Sequence, residues 1–362
     1  MKSRPTALSL FSGCGGLDLG FESAGFDVIL GVDNDEYSAA SHAKNFPRSK
    51  FFLGNIADFG RVEAENLVGA DALESVDVLI GGPPCPPFSK SRFYRTEKPR
   101  AMEDPVGQVT ITGYIETLKW LRPRVFLLEN VAGMAFKVHR ETLSHIVDEA
   151  SALGYRTQFR VLNAADFGVP QIRQRFFLIG VLDAEFEWPA PTHADPKLGR
   201  TDRAPWATAG SVLNDIDTEE NASDVGHFAG GQHHDLLKLI PPGDNYLFLT
   251  EKRGYPTPHF EWRKRYWSFL LKLSPELPSW TIQARRSNNM GPLHWRNRML
   301  RILEVKRLQT FPDNWHLEGR IEEQWRQVGN AVPPVLANAI ANSVLSHLTS
   351  TNDSRRPTTQ LA

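Results

Sequence analysis

The sequence contains few cysteines, no long apolar run and almost no net charge. Cys14 and Cys85 are the only two cysteines in 362 residues, which excludes a disulfide framework, and they do not have the spacing of paired metal ligands. No stretch approaches the roughly 18 apolar residues that cross a membrane, and the apolar run near the N-terminus is too short for a signal peptide. We therefore expect a chain that binds no metal and stays in a reducing cytoplasm.

The near-zero charge hides a strong asymmetry along the chain. The totals of 41 Lys+Arg and 42 Asp+Glu argue, taken alone, against a nucleic-acid-binding protein. Residues 181–251, however, carry four Lys+Arg against 13 Asp+Glu, whereas residues 252–307 carry 13 against three, a net charge of +10. Eight aromatic residues lie in the basic segment: Tyr255, Phe260, Trp262, Tyr266, Trp267, Phe269, Trp280 and Trp295. This mixture suits phosphate contacts and base stacking, and a solvated face over an aromatic core is about equally compatible.

Short apolar runs in the first half of the chain predict buried strands. They are Ala7–Phe11, Val28–Val32, Val76–Ile80, Val125–Leu128 and Phe176–Val181. Helical periodicity over 111–121 and 143–153 lies between them, and this alternation predicts a mostly parallel α/β sheet. The pattern breaks after residue 181, where Pro-, Gly- and Asp-rich sequence indicates a domain boundary between 181 and 190.

A glycine-rich loop after the first strand indicates a bound cofactor. Gly13, Gly15 and Gly16 stand where a strand turns into a helix, and Asp33 follows Gly13 by 20 residues, the spacing at which a carboxylate accepts hydrogen bonds from ribose hydroxyls. A dinucleotide fingerprint would have its third glycine at position 18, which is Asp18, so a nicotinamide oxidoreductase fits poorly. The alternative is an ordinary turn, with Asp33 capping the helix near residue 36.

Four further side chains could converge at the C-terminal edge of the sheet. Cys85 follows a strand and stands among four prolines, which hold it on a stiff loop, and Glu129 follows the next strand. Arg173 and Arg175 alternate with Gln171 along an extended segment, so we expect them to project to one face. Individually these residues could be an inert thiol, a helix cap and surface ion pairs.

Six motifs in order resemble the DNA cytosine-5 methyltransferase family of bacterial restriction–modification systems, from about Leu8 to Ala341. They are Phe-x-Gly-x-Gly-Gly at 11–16, Pro-Cys at 84–85, Glu-Asn-Val at 129–131, Gln-x-Arg-x-Arg at 171–175, Arg-Leu-Gln-x-Phe-Pro at 307–312 and Gly-Asn-Ala-Val-Pro at 329–333. The resemblance implies a Rossmann-like, mostly parallel sheet with helices on both faces, plus a smaller irregular target-recognition domain. We expect a catalytic domain over 1–187 completed by 322–349, a target-recognition domain and hinge over 188–321, and a flexible tail over 350–362.

The resemblance also implies S-adenosylmethionine as cofactor and a covalent cysteine mechanism. Cys85 would add to carbon 6 of cytosine, while Glu129, Arg173 and Arg175 would assist. The residues expected around the cofactor are Phe11, Ser12, Gly13, Gly15, Gly16, Leu17, Asp33, Asn34, Asn55, Ile56, Pro83, Asn330 and Ala331. Two positions depart from the family pattern: Asn55, where the family usually has Asp, and Pro86, where it most often has Gln. Because an amide oxygen can still accept a hydrogen bond from adenine, we expect binding to survive.

The implied substrate is a cytosine flipped out of duplex DNA. The residues expected to touch DNA are Ser89, Arg285, Arg286, Asn288 and Asn289, although a polar surface loop is about equally compatible. We further expect a monomer that acts on nucleoid DNA and a cognate restriction endonuclease for the same site. The alternatives are a transfer-RNA cytosine-5 methyltransferase and a catalytically silent DNA-binding protein.

Overall fold

The computed structural model describes residues 4–84, 104–182, 185–217 and 231–350, which form two compact units. Unit 1 consists of Met1–Leu162, Gln174–Ala190 and Ala337–Ala362, and unit 2 consists of Asn163–Arg173 and Pro191–Leu336. The units differ from the expected division in three places, because residues 163–173 and 322–336 belong to unit 2 and residues 188–190 belong to unit 1. Hydrogen bonds explain the first of these differences: Gln171 and Arg173 bind the backbone of residues 282, 308 and 329, all in unit 2.

The strands and helices of the described residues are numbered here in chain order. The strands are β1 Thr6–Leu10, β2 Asp27–Asp33, β3 Lys50–Leu53, β4 Val76–Gly81, β5 Val125–Val131, β6 Arg156–Asn163, β7 Gln171–Ile172, β8 Gln174–Val181, β9 His193–Ala194, β10 Ala204–Pro205 and β11 Ser279–Trp280. The helices are α1 Gly16–Ser23, α2 Glu36–Asn45, α3 Arg61–Val68, α4 Ala70–Glu74, α5 Pro105–Leu121, α6 Arg140–Ala152, α7 Ala209–Leu213, α8 His234–Leu237, α9 Ile302–Leu308, α10 Ile321–Asn330 and α11 Pro334–Ser350.

Unit 1 is built on a seven-stranded sheet in the order β3-β2-β1-β4-β5-β8-β6. Strands β1 to β5 pair in parallel, and β8 runs antiparallel to β5, so the expected mixed, mostly parallel Rossmann-like sheet is confirmed. All five strands expected from apolar runs are present. Strands β3 and β6 were missed because each lies at a sheet edge and is largely exposed, and such a strand does not require a continuous apolar run.

The core of unit 1 explains why the central strands are apolar. Leu8, Leu30, Leu79 and Phe126 are fully buried beneath the helices, as continuous apolar strands in a covered parallel sheet should be. The end of the chain also belongs to this unit, since α11 packs directly against α1. A Cβ at Gly20 would overlap Ala337, so only glycine permits this approach.

Unit 2 is irregular, with short helices and two-stranded pairings in place of a large sheet. β7 pairs with β11 and β9 pairs with β10, both in parallel. A separate apolar core holds it together, and its fully or nearly fully buried members include Leu237, Ile240, Tyr246, Leu249 and Leu270.

Among the residues that the structure describes, no helix combines the length and the apolar composition of a membrane-spanning segment. The same part of the chain contains no group of three or more His, Cys, Asp or Glu side chains that could hold a metal ion.

Candidate functional site

The glycine-rich loop turns sharply between β1 and α1. Phe11, Gly13 and Gly15 all have positive φ, at 55°, 55° and 83°. Gly15 must also be glycine for a second reason, because a Cβ there would overlap the ring of Phe46. The loop thereby turns the N-terminus of α1, which begins at Gly16, toward the C-terminal edge of the sheet, where its backbone N–H groups are available to a ligand.

The carboxylate of Asp33 is fixed by this loop. Its Oδ2 accepts a hydrogen bond from the Gly13 backbone N–H at 2.9 Å, and its Oδ1 accepts one from the Asp35 N–H at 3.0 Å. Burial raises the pKa of Asp33, and these two backbone donors oppose the shift. The helix-cap alternative for Asp33 is wrong, because Asp35 caps α2 by accepting from the Ser38 N–H at 2.8 Å.

The loop is further braced by Ser12 and Asp18. The Ser12 hydroxyl donates to the Ser9 carbonyl and accepts from the Val32 N–H, which joins β1 to β2. Asp18 is fully buried, and its carboxylate accepts from the Ser9 hydroxyl at 2.6 Å and lies 2.9 Å from His42 Nε2. Asp18, which stands where a dinucleotide fingerprint would have its third glycine, therefore links α1 to β1 and α2.

A cavity of about 290 Å³ opens beside this loop in unit 1. Five of the residues expected to hold the cofactor line it: Phe11, Asp33, Asn34, Asn55 and Ile56. Four further lining residues were not foreseen. They are Pro105, Val106, Val109 and Thr110, from the first turns of α5, whose sequence signal was the helix-start pair Asp104-Pro105.

The chemistry of this cavity fits S-adenosylmethionine. Apolar side chains such as Phe11, Ile56 and Val109 offer a slot for a flat base, and the Asp33 carboxylate offers an acceptor for ribose hydroxyls. Asn55 is positioned by capping a short 3₁₀ turn, in which its Oδ1 accepts from the Ala57 N–H at 3.0 Å. An amide oxygen has a second lone pair, so Asn55 retains the capacity to accept from an adenine amine.

Glu129 and Arg175 form a buried pair on neighbouring strands. Glu129 stands in β5 and Arg175 in β8, and Arg175 Nε lies 2.9 Å from Glu129 Oε1, with side chains only 5% and 10% exposed. A Cβ at Gly82 would lie 2.9 Å from the other Glu129 oxygen, so glycine immediately after β4 leaves room for the carboxylate. The expected convergence of Glu129 and Arg175 is therefore observed.

Asn130 ties the pair to the loop that leads toward Cys85. Its Nδ2 donates to the Pro83 carbonyl at 3.2 Å, and its Oδ1 accepts from the Val131 N–H at 2.9 Å. The sequence motif contained Asn130, but its role as the anchor of this loop was not foreseen. Cys85, Pro86 and Ser89 lie outside the described residues. The other cysteine, Cys14, is buried, and burial raises the pKa of its thiol far above the usual range.

Arg173 does not share a face with Arg175, which corrects the sequence expectation. It is fully buried in unit 2, and its guanidinium donates to the backbone carbonyls of Ile282, Gly329 and Ala331 at 2.9, 2.7 and 3.0 Å. The strands β7 and β8 are separate elements that meet at this residue, so the alternation expected of one continuous strand does not apply. Arg173 is therefore a structural residue, and Asn330 and Ala331 belong to the same unit.

The residues expected to read DNA divide into two groups. Arg285 and Asn288 are exposed. Arg286 is mostly buried and lies 3.5 Å from Glu322, while the amide of Asn289 packs against Gly231. Arg285, Arg286 and Asn288 line a hollow of about 480 Å³ in unit 2, and Asn289 does not.

Comparisons with known proteins match this architecture along nearly the whole chain. The model of the C-5 cytosine-specific DNA methylase family matches residues 6–346. The type II methyltransferase M.SacI of Streptomyces achromogenes is 34% identical over 371 residues, covering 94% of this chain and 93% of the relative. M.XorII of Xanthomonas oryzae pv. oryzae, also a type II methyltransferase, is 30% identical over 388 residues, covering 96% and 86%. The crystal structure of a DNA modification methyltransferase encoded within an E. coli prophage matches in fold, with a TM-score of 0.67 and 24% identity over 95% of this chain and 99% of that one.

Proposed function

Since the chain belongs to the C-5 cytosine-specific DNA methylase family, we propose which of its residues carry out the methylation of cytosine in DNA. The enzyme is a DNA cytosine-5 methyltransferase that uses S-adenosylmethionine. The observation that carries the assignment of residues is the buried Glu129–Arg175 pair, held beside the loop that leads to Cys85 by the Asn130–Pro83 hydrogen bond.

The cavity beside the glycine-rich loop is the proposed cofactor site. S-adenosylmethionine supplies a methyl group on a positively charged sulfur. Asp33 accepts hydrogen bonds from the ribose, Asn55 and Ile56 contact the adenine, and Phe11 covers its face. Ser12, Gly13, Gly15, Gly16 and Leu17 form the loop and helix start that shape this site. Asn34 lines the same cavity, and Pro83 is a further proposed contact.

The target base needs activation because carbon 5 of cytosine is a poor nucleophile. In the proposed mechanism the Cys85 thiolate forms a bond to carbon 6, and the ring electrons then make carbon 5 nucleophilic. Glu129 donates a proton or a hydrogen bond to ring nitrogen 3, while Arg175 binds the exocyclic oxygen and stabilises the developing charge. After carbon 5 gains the methyl group it loses its proton to water, the electrons of that bond re-form the ring double bond, the carbon 6–sulfur bond breaks, and Cys85 leaves as the thiolate.

Carbon 5 and carbon 6 must leave the base stack for this reaction, so the cytosine is flipped out of duplex DNA. Among the expected DNA contacts, the exposure of Arg285 and Asn288 makes them the stronger candidates for base readout, ahead of Arg286 and Asn289. Ser89 remains a candidate contact from the catalytic loop. The relatives are type II methyltransferases, which supports the further proposal of a cognate restriction endonuclease. We also propose a monomer that modifies one base at a time.

Two experiments test these roles. Purified protein incubated with methyl-labelled S-adenosylmethionine should label 5-methyldeoxycytidine in mixed-sequence duplex DNA and leave total RNA unlabelled. Label found only in RNA would refute the DNA substrate, and bisulfite sequencing of the methylated DNA would read the target site.

The nucleophile is tested by trapping. Fluorine at carbon 5 cannot leave as the proton does, so DNA made with 5-fluorocytosine should hold the enzyme in a complex that survives denaturing electrophoresis. We expect Cys85→Ser to abolish this complex and the matched variant Cys14→Ala to retain it, because the Cys14 thiol is buried and its pKa is raised. A trapped Cys85→Ser complex would contradict the assignment.

A further inference from the structure

Unit 2 displays an exposed aromatic and basic surface that the proposed catalytic roles do not use. Arg263–Trp267 are five consecutive exposed residues, three cations followed by two aromatic residues. Tyr266 is 67% exposed and Trp267 is 52% exposed, and the Trp267 ring lies 5.6 Å from that of Trp280, which is 40% exposed. We call Arg263–Trp267 together with Trp280 the aromatic–basic surface.

Trp267 and Trp280 are the two exposed tryptophans among the nine of the sequence, since four others are half-buried and three are buried. Trp188, Trp315 and Trp325 are 8%, 8% and 5% exposed, as is usual for so large an apolar side chain. Three exposed aromatic residues beside one another, two of them in ring contact, form a patch of the kind that marks a binding surface.

The backbone beneath the surface is firmly held. The Tyr246 hydroxyl donates to the Arg265 carbonyl at 2.8 Å and accepts from the Arg265 N–H at 3.2 Å, while Asn245 Nδ2 donates to the Trp267 carbonyl at 2.9 Å. Trp280 lies in β11, which pairs with β7. The rings are therefore presented by anchored backbone, which lowers the entropy cost of binding.

The charge of this region indicates what binds there. Residues 252–307 carry 13 Lys+Arg against three Asp+Glu. Within the surface, Lys264 lies 3.7 Å from Glu261, but these side chains are 71% and 79% exposed, so water and salt weaken the pair and leave the amine available. Cations beside exposed indole rings suit a polyanion that also offers flat or apolar faces, which is the chemistry of a nucleic acid.

We propose that the aromatic–basic surface is a DNA-binding surface of this enzyme. Its cations contact backbone phosphates, and Trp267 and Trp280 contact deoxyribose and base edges of the duplex. This inference rests on the proposed function only in taking duplex DNA as the substrate. It assigns the two tryptophans as DNA-contacting residues, distinct from Arg285 and Asn288.

The test separates the apolar contact from the ionic one. Binding is measured by fluorescence anisotropy of a labelled duplex at several salt concentrations, and methylation kinetics give KM and kcat. Trp267→Ala and Trp280→Ala should each weaken DNA binding by about tenfold, as expected for the loss of a large apolar contact, and should leave the slope of log K against log salt unchanged. Lys264→Gln should instead lower that slope by about one.

Three controls keep the result interpretable. Leu239→Ala removes another exposed apolar side chain of unit 2, 44% exposed, and should bind DNA as the wild type does. Trp267→Phe keeps an aromatic ring and should recover most of the affinity. Cofactor binding and the melting temperature should match those of the wild type in every variant.

Three results would overturn the proposal: wild-type DNA affinity in the folded Trp267→Ala, Trp280→Ala double variant, a loss confined to kcat, or an equal loss in Leu239→Ala. Failure of the proposed function is distinguishable from these, because a wild-type protein that binds duplex DNA without methylating it would contradict the activity and leave the binding comparison valid.

Discussion

Arg173 and Arg175, two residues apart, are expected to respond in opposite ways to the same substitution. Arg173 donates hydrogen bonds to three backbone carbonyls from a fully buried position, whereas Arg175 pairs with Glu129. Lysine keeps the positive charge, but a single ammonium on a flexible stem cannot reproduce the fork of a guanidinium. Substitution with lysine therefore tests position and geometry without removing the charge.

The expected loss of stability in Arg173→Lys follows from the hydrogen bonds that Arg173 makes. If lysine preserves one of the three carbonyl contacts, two bonds to a charged donor are lost, each worth about 1.5–3 kcal/mol, for a total of about 3–5 kcal/mol when the terms are not fully additive. At about 2–4 °C per kcal/mol for a domain of this size, the melting transition of unit 2 should fall by about 10 °C. Below that transition kcat should stay within a few-fold of wild type.

Arg175→Lys is the matched comparison. Loss of one oriented donor to the developing charge is expected to lower kcat by about 100-fold or more, while the melting temperature changes little because an ammonium still pairs with Glu129. Differential scanning calorimetry and single-turnover methylation measure the two effects. If Arg173→Lys lowered kcat as much as Arg175→Lys and left the melting temperature unchanged, Arg173 would be part of the chemistry and the structural assignment would be wrong.

Four further predictions concern the cofactor site. Asp33→Asn removes the acceptor for one of two backbone N–H groups and the charge facing the ribose, so calorimetry should show cofactor affinity lower by about 10-fold or more, and an unchanged affinity would refute the role. Because burial raises the pKa of Asp33 and the ribose hydroxyls favour its ionised form, affinity should fall as pH drops through that raised pKa, and this dependence should vanish in Asp33→Asn. Gly15→Ala places a side chain on a backbone with φ of 83° and against the Phe46 ring, so it should lower both the melting temperature and the cofactor affinity. The control variant Gly25→Ala has φ of 102° but open space around the new side chain, so it should lower the melting temperature alone. Asn55→Asp keeps the cap on the Ala57 N–H and adds a charged acceptor, so cofactor affinity should rise by a few-fold, and a weaker affinity would contradict the contact with the adenine amine.

The pattern of apolar residues along the sequence was sufficient to predict the central strands of the sheet. The five apolar runs correspond to β1, β2, β4, β5 and β8, because a strand buried on both faces must be apolar along its length. The glycines of the loop and the placement of Asp33 at the end of β2 were likewise foreseeable, since positive φ and close backbone approach restrict those positions to glycine. The edge strands β3 and β6 were not, because exposure removes the constraint on their composition.

Residue order and the positions of the strand ends were enough to predict the family, the parallel sheet, the glycine-rich loop and the convergence of Glu129 with Arg175. The ion pair between these two side chains was seen only in the structure. The folded structure was needed to show that Arg173 braces unit 2, that the buried Asp18 links β1 to α2, and that Asn130 anchors the loop before Cys85. It also decided which tryptophans are exposed. The physical reason is that a side chain's role depends on the partners that surround it after folding, and those partners stand as many as 158 residues away for Arg173.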